Sequence, residues 1–372
     1  MHHNNKKSGY ILIVTLMIIS LSVVLVTYIF TTGSIHVPFA QTMIDREKAK
    51  LIAFSGIQIA ISQLSQEIDL EAKKDASQPA PVPAGPQAKA APAKLSPEDE
   101  ATKKLLALIV PTINRWQTFS LKEEVDGLDG KIKVCLSCED GKININALYD
   151  FKKHEFRKDQ SVEKVLIPLI REAFKNMGKE DLFAEFEKFL KARQYRLDDV
   201  TELMPLKGFE VFRDNIFYEP RNGDKKENDN DKKGRLYLTD IFTLWSGKQA
   251  IEPWLLSDSL CGLLGVKRAE SGDVKNRKQM VNDALKTFKA TLQWPGDWQN
   301  TFAKLYGQEF TNLPKGIESI FQTKVEPKVF SVLSYGTVGK VTQRVCAVVE
   351  RIKEQKDKKL MFTVVIKKLY WL

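Results

Sequence analysis

The chain has 372 residues, 43% hydrophobic and 28% charged, and its mean hydropathy is slightly negative. That is a globular balance with enough length for one large domain or two ordinary ones, and it excludes a polytopic membrane protein. A formal net charge of +10 means that an acidic partner, nucleic acid or phospholipid, has to be weighed. Two of the four histidines are His2 and His3, leaving only His36 and His154 for the remainder, which argues against a histidine-based active site. No P-loop, G-x-S-x-G or H-E-x-x-H pattern is present, so enzyme chemistry is not expected.

Tyr10–Phe30 (YILIVTLMIISLSVVLVTYIF) is an uncharged apolar run; as a helix it spans roughly 30 Å, the thickness of a bilayer core. Lys6 and Lys7 precede it and predict a cytoplasmic N-terminus with the rest of the chain exported. The run is too long for an ordinary secretory signal, and no small-residue cleavage site follows it. Helical periodicity continues beyond the span. Ile57, Ile61, Leu64 and Ile68 fall at i, i+4, i+7 and i+11, one stripe of an amphipathic helix, and Pro38 is expected to kink it. Read physically, this is a signal anchor with a juxtamembrane stalk.

Residues 71–97 are Ala/Pro-rich with almost no large apolar side chain and read as a linker. Leu105, Leu106, Leu108, Ile109 and Ile113 then predict a helix disturbed by Pro111. Ile132, Val134 and Leu136 share one parity, as do Ile143, Ile145 and Ala147, and Glu139, Asp140 and Gly141 lie between. This pattern predicts a β-hairpin. Two amphipathic helices follow, on Val162, Val165, Leu166, Leu169, Ile170 and Phe174 and on Leu182, Phe183, Phe186, Phe189 and Leu190, with Gly178 as the stop between them.

Residues 219–234 are charged and turn-rich. Asp224, Glu227, Asp229 and Asp231 alternate there as hard oxygen donors, which suits calcium. The stretch lacks a glycine at the sixth loop position and a closing glutamate, and carries lysines and an arginine, so a solvated loop is the favoured reading. Met280, Leu285, Phe288 and Leu292 predict a further helix, and Trp294–Trp298 a turn with aromatic anchors. Val341, Val345, Ala347 and Val349, then Leu360, Phe362, Val364 and Ile366, predict a closing hairpin. Cys135 and Cys138 form C-x-x-C, with Cys261 and Cys346 far away. In a continuous strand the pair faces opposite ways, which forbids joint chelation. Packing and a disulfide both remain open.

The short basic leader, Gly9 and the long apolar helix resemble the class III signal of type IV pilin-like proteins, which a prepilin peptidase cuts after the glycine, here between Gly9 and Tyr10. Such proteins carry a glutamate at the fifth mature position. This chain has Val14 there, and absence of that glutamate is typical of the K-type minor pseudopilin of type II secretion. Four stretches resemble that family in order: EDGKININAL (Glu139–Leu148), RLDDVTELMPLKGF (Arg196–Phe209), GRLYLTDIFTLWSGKQAIEPWLLSDSLCGLLG (Gly234–Gly265) and KVFSVLSYGTVGKVTQRVCAVVERI (Lys328–Ile352). The chain departs from the family at Ile251, Glu252, Pro253 and Trp254, where an asparagine-bearing loop is usual. Between Phe189 and Arg196 it lacks the family's acidic calcium stretch.

The resemblance implies an α+β fold in which a long N-terminal transmembrane helix packs on an antiparallel sheet, with a large helical insertion over about 150–325. The implied layout is a leader (1–9), a transmembrane half-helix (10–31), an amphipathic periplasmic part of that helix (32–70), the linker (71–97) and a periplasmic domain (98–372). It also implies calcium as a cofactor with no transferable ligands, and N-terminal methylation after cleavage. The implied partners are I-type and J-type minor pseudopilins, prepilin peptidase and inner-membrane lipid. The implied location is the inner membrane, and the pseudopilus tip once assembled, where the protein primes and caps the fibre for protein export. The alternative is a minor pilin of a type IV pilus or DNA-uptake system with a basic DNA-binding surface. The lysines are scattered among acids, which disfavours nucleic acid.

Overall fold

A computed structural model describes residues 5–69, 96–176, 182–220, 236–266, 274–286, 298–356 and 359–372. Helix α1 (Asn5–Leu64) runs unbroken through Pro38. Its second half lies on a six-stranded antiparallel sheet ordered β1-β10-β9-β8-β3-β2. These strands are β1 (Gln66–Asp69), β2 (Trp116–Leu121), β3 (Gly130–Cys138), β8 (Val329–Val338), β9 (Val341–Lys356) and β10 (Lys359–Trp371). Among the described residues, four short strands lie between β3 and β8 in the chain: β4 (Ile143–Asn144), β5 (Tyr149–Asp150), β6 (Glu155–Phe156) and β7 (Phe242–Thr243).

The sheet-facing stripe of α1 is Ala49, Ile52, Ala53, Gly56, Ile57, Ala60 and Leu64, all buried, the i, i+3, i+4 spacing of one helix face. Most of these residues are small because helix and sheet approach closely. A Cβ on Gly56 would sit 2.0 Å from Ser334 Oγ, and one on Gly336 of β8 would sit 2.2 Å from the Ala49 carbonyl oxygen. The opposing sheet surface carries Ile132, Val134 and Leu136 of β3, Val332 of β8, and Val345, Ala347 and Val349 of β9. The C-terminal hairpin predicted from period-two alternation is present as β9 and β10, paired antiparallel.

Two expectations need correction. Ile68 does not extend the α1 stripe, and the helix does not reach residue 70. It ends at Leu64, and Gln66–Asp69 pairs with Phe362–Lys359 at the start of β10, because an open strand edge offers ladder hydrogen bonds that another helical turn would forgo. Nor do residues 132–136 and 143–147 form a hairpin. β3 pairs with β2 and β8, β4 pairs in parallel with β7, and Ile145–Leu148 is a helical turn. The Glu139–Gly141 turn between them is buried and clamped from outside, since a Cβ on Gly141 would lie 1.8 Å from the Leu255 carbonyl oxygen.

Helix α2 (Pro97–Ile109) begins at the end of the predicted linker, with Ser96 as its N-cap accepting from the Asp99 N–H. Of that linker, residues 71–95 lie outside the described residues. The insertion is mainly helical, as predicted. Segment 162–176 buries Val162, Val165, Leu166, Leu169, Ile170 and Phe174, and helix Leu182–Ala192 buries Leu182, Phe183, Phe186 and Leu190. Their rings form one cluster: Phe174 lies 5.8 Å from Phe186, 5.6 Å from Phe209 and 6.0 Å from Phe242 of β7, the separations of packed aromatic pairs. Helices Val274–Lys286 and Trp298–Tyr306 follow. Gly178, Phe288, Leu292 and Trp294 lie outside the described residues.

Candidate functional site

Two regions carry functional weight: the first half of α1, and a buried junction beside the sheet. Along α1, Tyr10–Phe30 is exposed throughout, from Tyr10 at 72% to Phe30 at 73%. No Asp, Glu, Lys or Arg occurs between Lys7 and Asp45, and the helix is long and apolar enough to cross a membrane. The serine and threonine hydroxyls of this span are satisfied within the helix, while the phenols of Tyr10 and Tyr28 stand on its exposed surface. Thr15 donates to the Ile11 carbonyl (3.1 Å), Ser20 to Met17 (2.9 Å), Ser22 to Ile18 (2.9 Å), Thr27 to Val23 (2.8 Å) and Thr31 to Thr27 (2.8 Å). Hydroxyls bonded this way can enter hydrocarbon without stranding a donor. Val14 places an aliphatic side chain on this surface. Gly9 is helical, and the described side chains begin at Tyr10.

At the junction Glu139–Leu148 meets residues 196–209, 236–265 and 328–352. Glu139–Leu148 is its centre. Asp140 Oδ2 accepts the N–H groups of Lys328 (2.7 Å) and Val329 (3.1 Å), at the head of β8. The Asp140 carbonyl accepts the Glu252 N–H (2.7 Å), and the Gly141 carbonyl accepts the Ser257 N–H (3.1 Å). Ile143 and Asn144 pair with Phe242 and Thr243, and Asn144 Nδ2 donates to Ser246 Oγ at 2.9 Å. Asn146 exchanges two hydrogen bonds with the Leu197 backbone, at 2.8 and 3.0 Å.

Burial makes this junction electrostatically tense. Lys142 is paired with Glu139, with side chains 2% and 5% exposed, and Ser331 Oγ donates to the same carboxylate at 2.6 Å. Burial pulls the Lys142 amine down, but Glu139 and Asp240 outweigh it and hold it above its ordinary value. Burial pushes Asp140 up to about 6 against the two backbone donors. It also pushes Asp240 up to about 6, although Lys142 counteracts this. Glu252 is pushed highest, to about 8, by burial and by the Asp140 charge. The sequence marked 139–141 only as turn residues and Glu252 only as a departure. A run of polar residues beside strongly apolar ones was the available signal, but their burial was not visible.

All four cysteines are buried and none is in a disulfide. Cys138 packs in the main core, and Cys135 on the other sheet face with Tyr218, Leu333 and Cys346, the opposite orientation expected of strand residues three apart. Among the described residues no group of His, Cys, Asp and Glu could hold a metal. Asp224, Glu227, Asp229 and Asp231, the sequence candidates for calcium, lie outside the described residues.

No protein-family model and no curated protein matches the chain. Among solved structures it is similar to the crystal structure of the GspK-GspI-GspJ complex from the enterotoxigenic Escherichia coli type 2 secretion system. That likeness has 12% identity and a TM-score of 0.38, and covers 73% of this chain and 94% of that one. At that TM-score it carries no weight. The molecule is an α+β protein with a long N-terminal helix, half of it an uncovered apolar rod and half seated on an antiparallel sheet.

Proposed function

We propose that this chain is a minor pseudopilin of the K type, anchored by α1 in the inner membrane with its α+β domain on the periplasmic side. Prepilin peptidase cuts it between Gly9 and Tyr10, and it assembles with I-type and J-type minor pseudopilins to prime and cap a type II secretion pseudopilus. The role is one of assembly and not of catalysis. The observation that carries this is the division of α1. One continuous helix exposes an uncharged apolar half with internally bonded hydroxyls, then turns small residues onto a sheet. Such a helix can be stored in lipid and later packed against others of its kind. Val14 adds to it: an aliphatic side chain there has no carboxylate to offer a neighbour's amine, as fits a subunit with none above it.

Among the described residues the surface does not favour the DNA-binding alternative: Lys50, Lys158, Lys191, Lys286, Lys353, Lys359 and Lys367 each pair with a nearby acid, as on a solvated face. Calcium remains an expectation of the resemblance alone. The deciding experiment is co-expression with a prepilin peptidase, followed by intact mass and N-terminal sequencing. A methylated N-terminus at Tyr10 is expected. An unprocessed Met1 form overturns the proposal.

A further inference from the structure

Two carboxyl side chains meet at the junction, and among the described residues no cation is bonded directly to either. Asp140 is 3% exposed and Glu252 is fully buried. They belong to different parts of the chain, Asp140 to the turn after β3 and Glu252 to the far end of the insertion, and the Glu252 N–H bonds the Asp140 carbonyl at 2.7 Å. Asp140 grips the head of β8 through Lys328 and Val329. Glu252 Oε2 accepts the Glu326 N–H at 3.3 Å, and its Oε1 accepts the Trp254 N–H at 3.5 Å. Both acids therefore bind the segment leading into β8, one from the sheet and one from the insertion.

The nearby Lys248 charge favours ionisation of both acids but does not overcome their burial. Lys248 directs its amine to Glu326 and Gln322, 3.3 Å from each, and Lys328 pairs with Glu326 at 3.3 Å. Glu139, on the same turn as Asp140, is engaged by Lys142, and the Cys138 thiol at the end of β3 is held protonated by burial and by these same acids.

We infer that Asp140 and Glu252 form a proton-dependent latch that holds residues 251–257 of the insertion and the 326–329 approach to β8 against the sheet, closed when Glu252 is neutral and loosened when it ionises. Two adjacent buried carboxylates cannot both be charged without a large electrostatic penalty, so the closed junction favours the protonated acid. Glu252 is raised from an ordinary 4.5 to about 8 and Asp140 from 3.8 to about 6. The sign follows from linkage. Because the closed state binds extra protons on both acids, its stability is complete below pH 3.8 and declines as pH rises toward 8, with Glu252 alone setting the slope above pH 6. The inference does not depend on the proposed assembly role.

Hydrogen–deuterium exchange on the full chain in detergent micelles, corrected for intrinsic rates, tests the latch. Protection of amides in 252–257 and 326–329 should fall by about tenfold per pH unit between pH 6 and 8, then level off, while β9 and β10 amides change much less. Glu252→Gln should abolish that slope. Asp140→Asn keeps an acceptor oxygen for Lys328 and Val329, and should move the levelling point below pH 8. A flat wild-type profile, a slope that persists in Glu252→Gln, or a levelling point unmoved by Asp140→Asn overturns the inference. If Glu252→Gln does not fold, the wild-type and Asp140→Asn profiles decide it.

Discussion

Arg351 on β9 donates its Nε–H to the carbonyl of Leu64, the last residue of α1, at 3.2 Å, while its guanidinium lies 3.5 Å from the Phe362 ring centroid. The last turn of α1 has no basic residue of its own, so a sheet strand supplies the cation that a helix C-terminus favours. Burial pulls the guanidinium down to about 10, which leaves it charged at neutral pH. Arg351→Ala should therefore lower stability by about 2–3 kcal/mol through loss of a charged hydrogen bond and its aromatic contact. Chemical denaturation of the full chain in micelles reads this directly, and a change under about 0.5 kcal/mol would refute it.

The helix–sheet seam makes a size prediction with an internal control. Gly336→Ala drives a methyl group against the α1 backbone at Ala49 and Ala53, where neither side can yield cheaply, and should destabilise by about 1–3 kcal/mol or more. Gly33→Ala meets nothing within 4 Å and should be neutral or stabilising by up to about 1 kcal/mol. Thermal unfolding of the two variants side by side separates close approach from a general intolerance of glycine replacement.

The Lys142–Glu139 pair predicts non-additivity. Lys142→Met leaves a buried carboxylate without its cation and should lower stability by about 3–5 kcal/mol. Adding Glu139→Gln removes that stranded charge, so the double variant should be more stable than Lys142→Met alone. A double variant equal to the sum of the single effects would show that the two residues do not interact.

For the membrane reading, Val23→Arg places a charge near the middle of the apolar run, against about 2.5–3.5 kcal/mol of insertion free energy. The variant should move substantially into the carbonate-extractable fraction, whereas Ser62→Arg, on the exposed side of the sheet-packed half, should not.

Much of the framework was legible because it rests on periodicity. The apolar rod needed only a count of uncharged residues, and β9 and β10 alternate so regularly that the C-terminal hairpin could be read directly. The helical stripes ending at Phe174 and Leu190 were equally plain. The failures share one physical origin. Ile68 continues a helical period yet lies in a strand, because the partner edge on β10 comes from nearly three hundred residues later. Glu139, Asp140 and Gly141 have turn chemistry, and they do form a turn, but a deeply buried one whose partners Glu252, Ser257, Lys328 and Val329 are remote in sequence. Local pattern reports what a segment can do alone, and both errors concern what a distant segment makes of it. The resemblance stretches suggested the junction only indirectly, as four separate motifs; that they converge is a property of the fold.

The self-bonded hydroxyls of the apolar rod bear on how freely it can change surroundings. Thr15, Ser20, Ser22, Thr27 and Thr31 present methyl and methylene groups outward while their protons point back along the helix. Between Tyr10 and Phe30 only the phenols of Tyr10 and Tyr28, exposed at 72% and 67%, are then left to distinguish one apolar environment from another. Passing from fluid acyl chains to a sheath of neighbouring helices breaks none of these bonds, so outside the two phenols the transfer is governed by shape and dispersion. A helix of this kind can turn about its axis or slip along it and keep every one of these internal bonds.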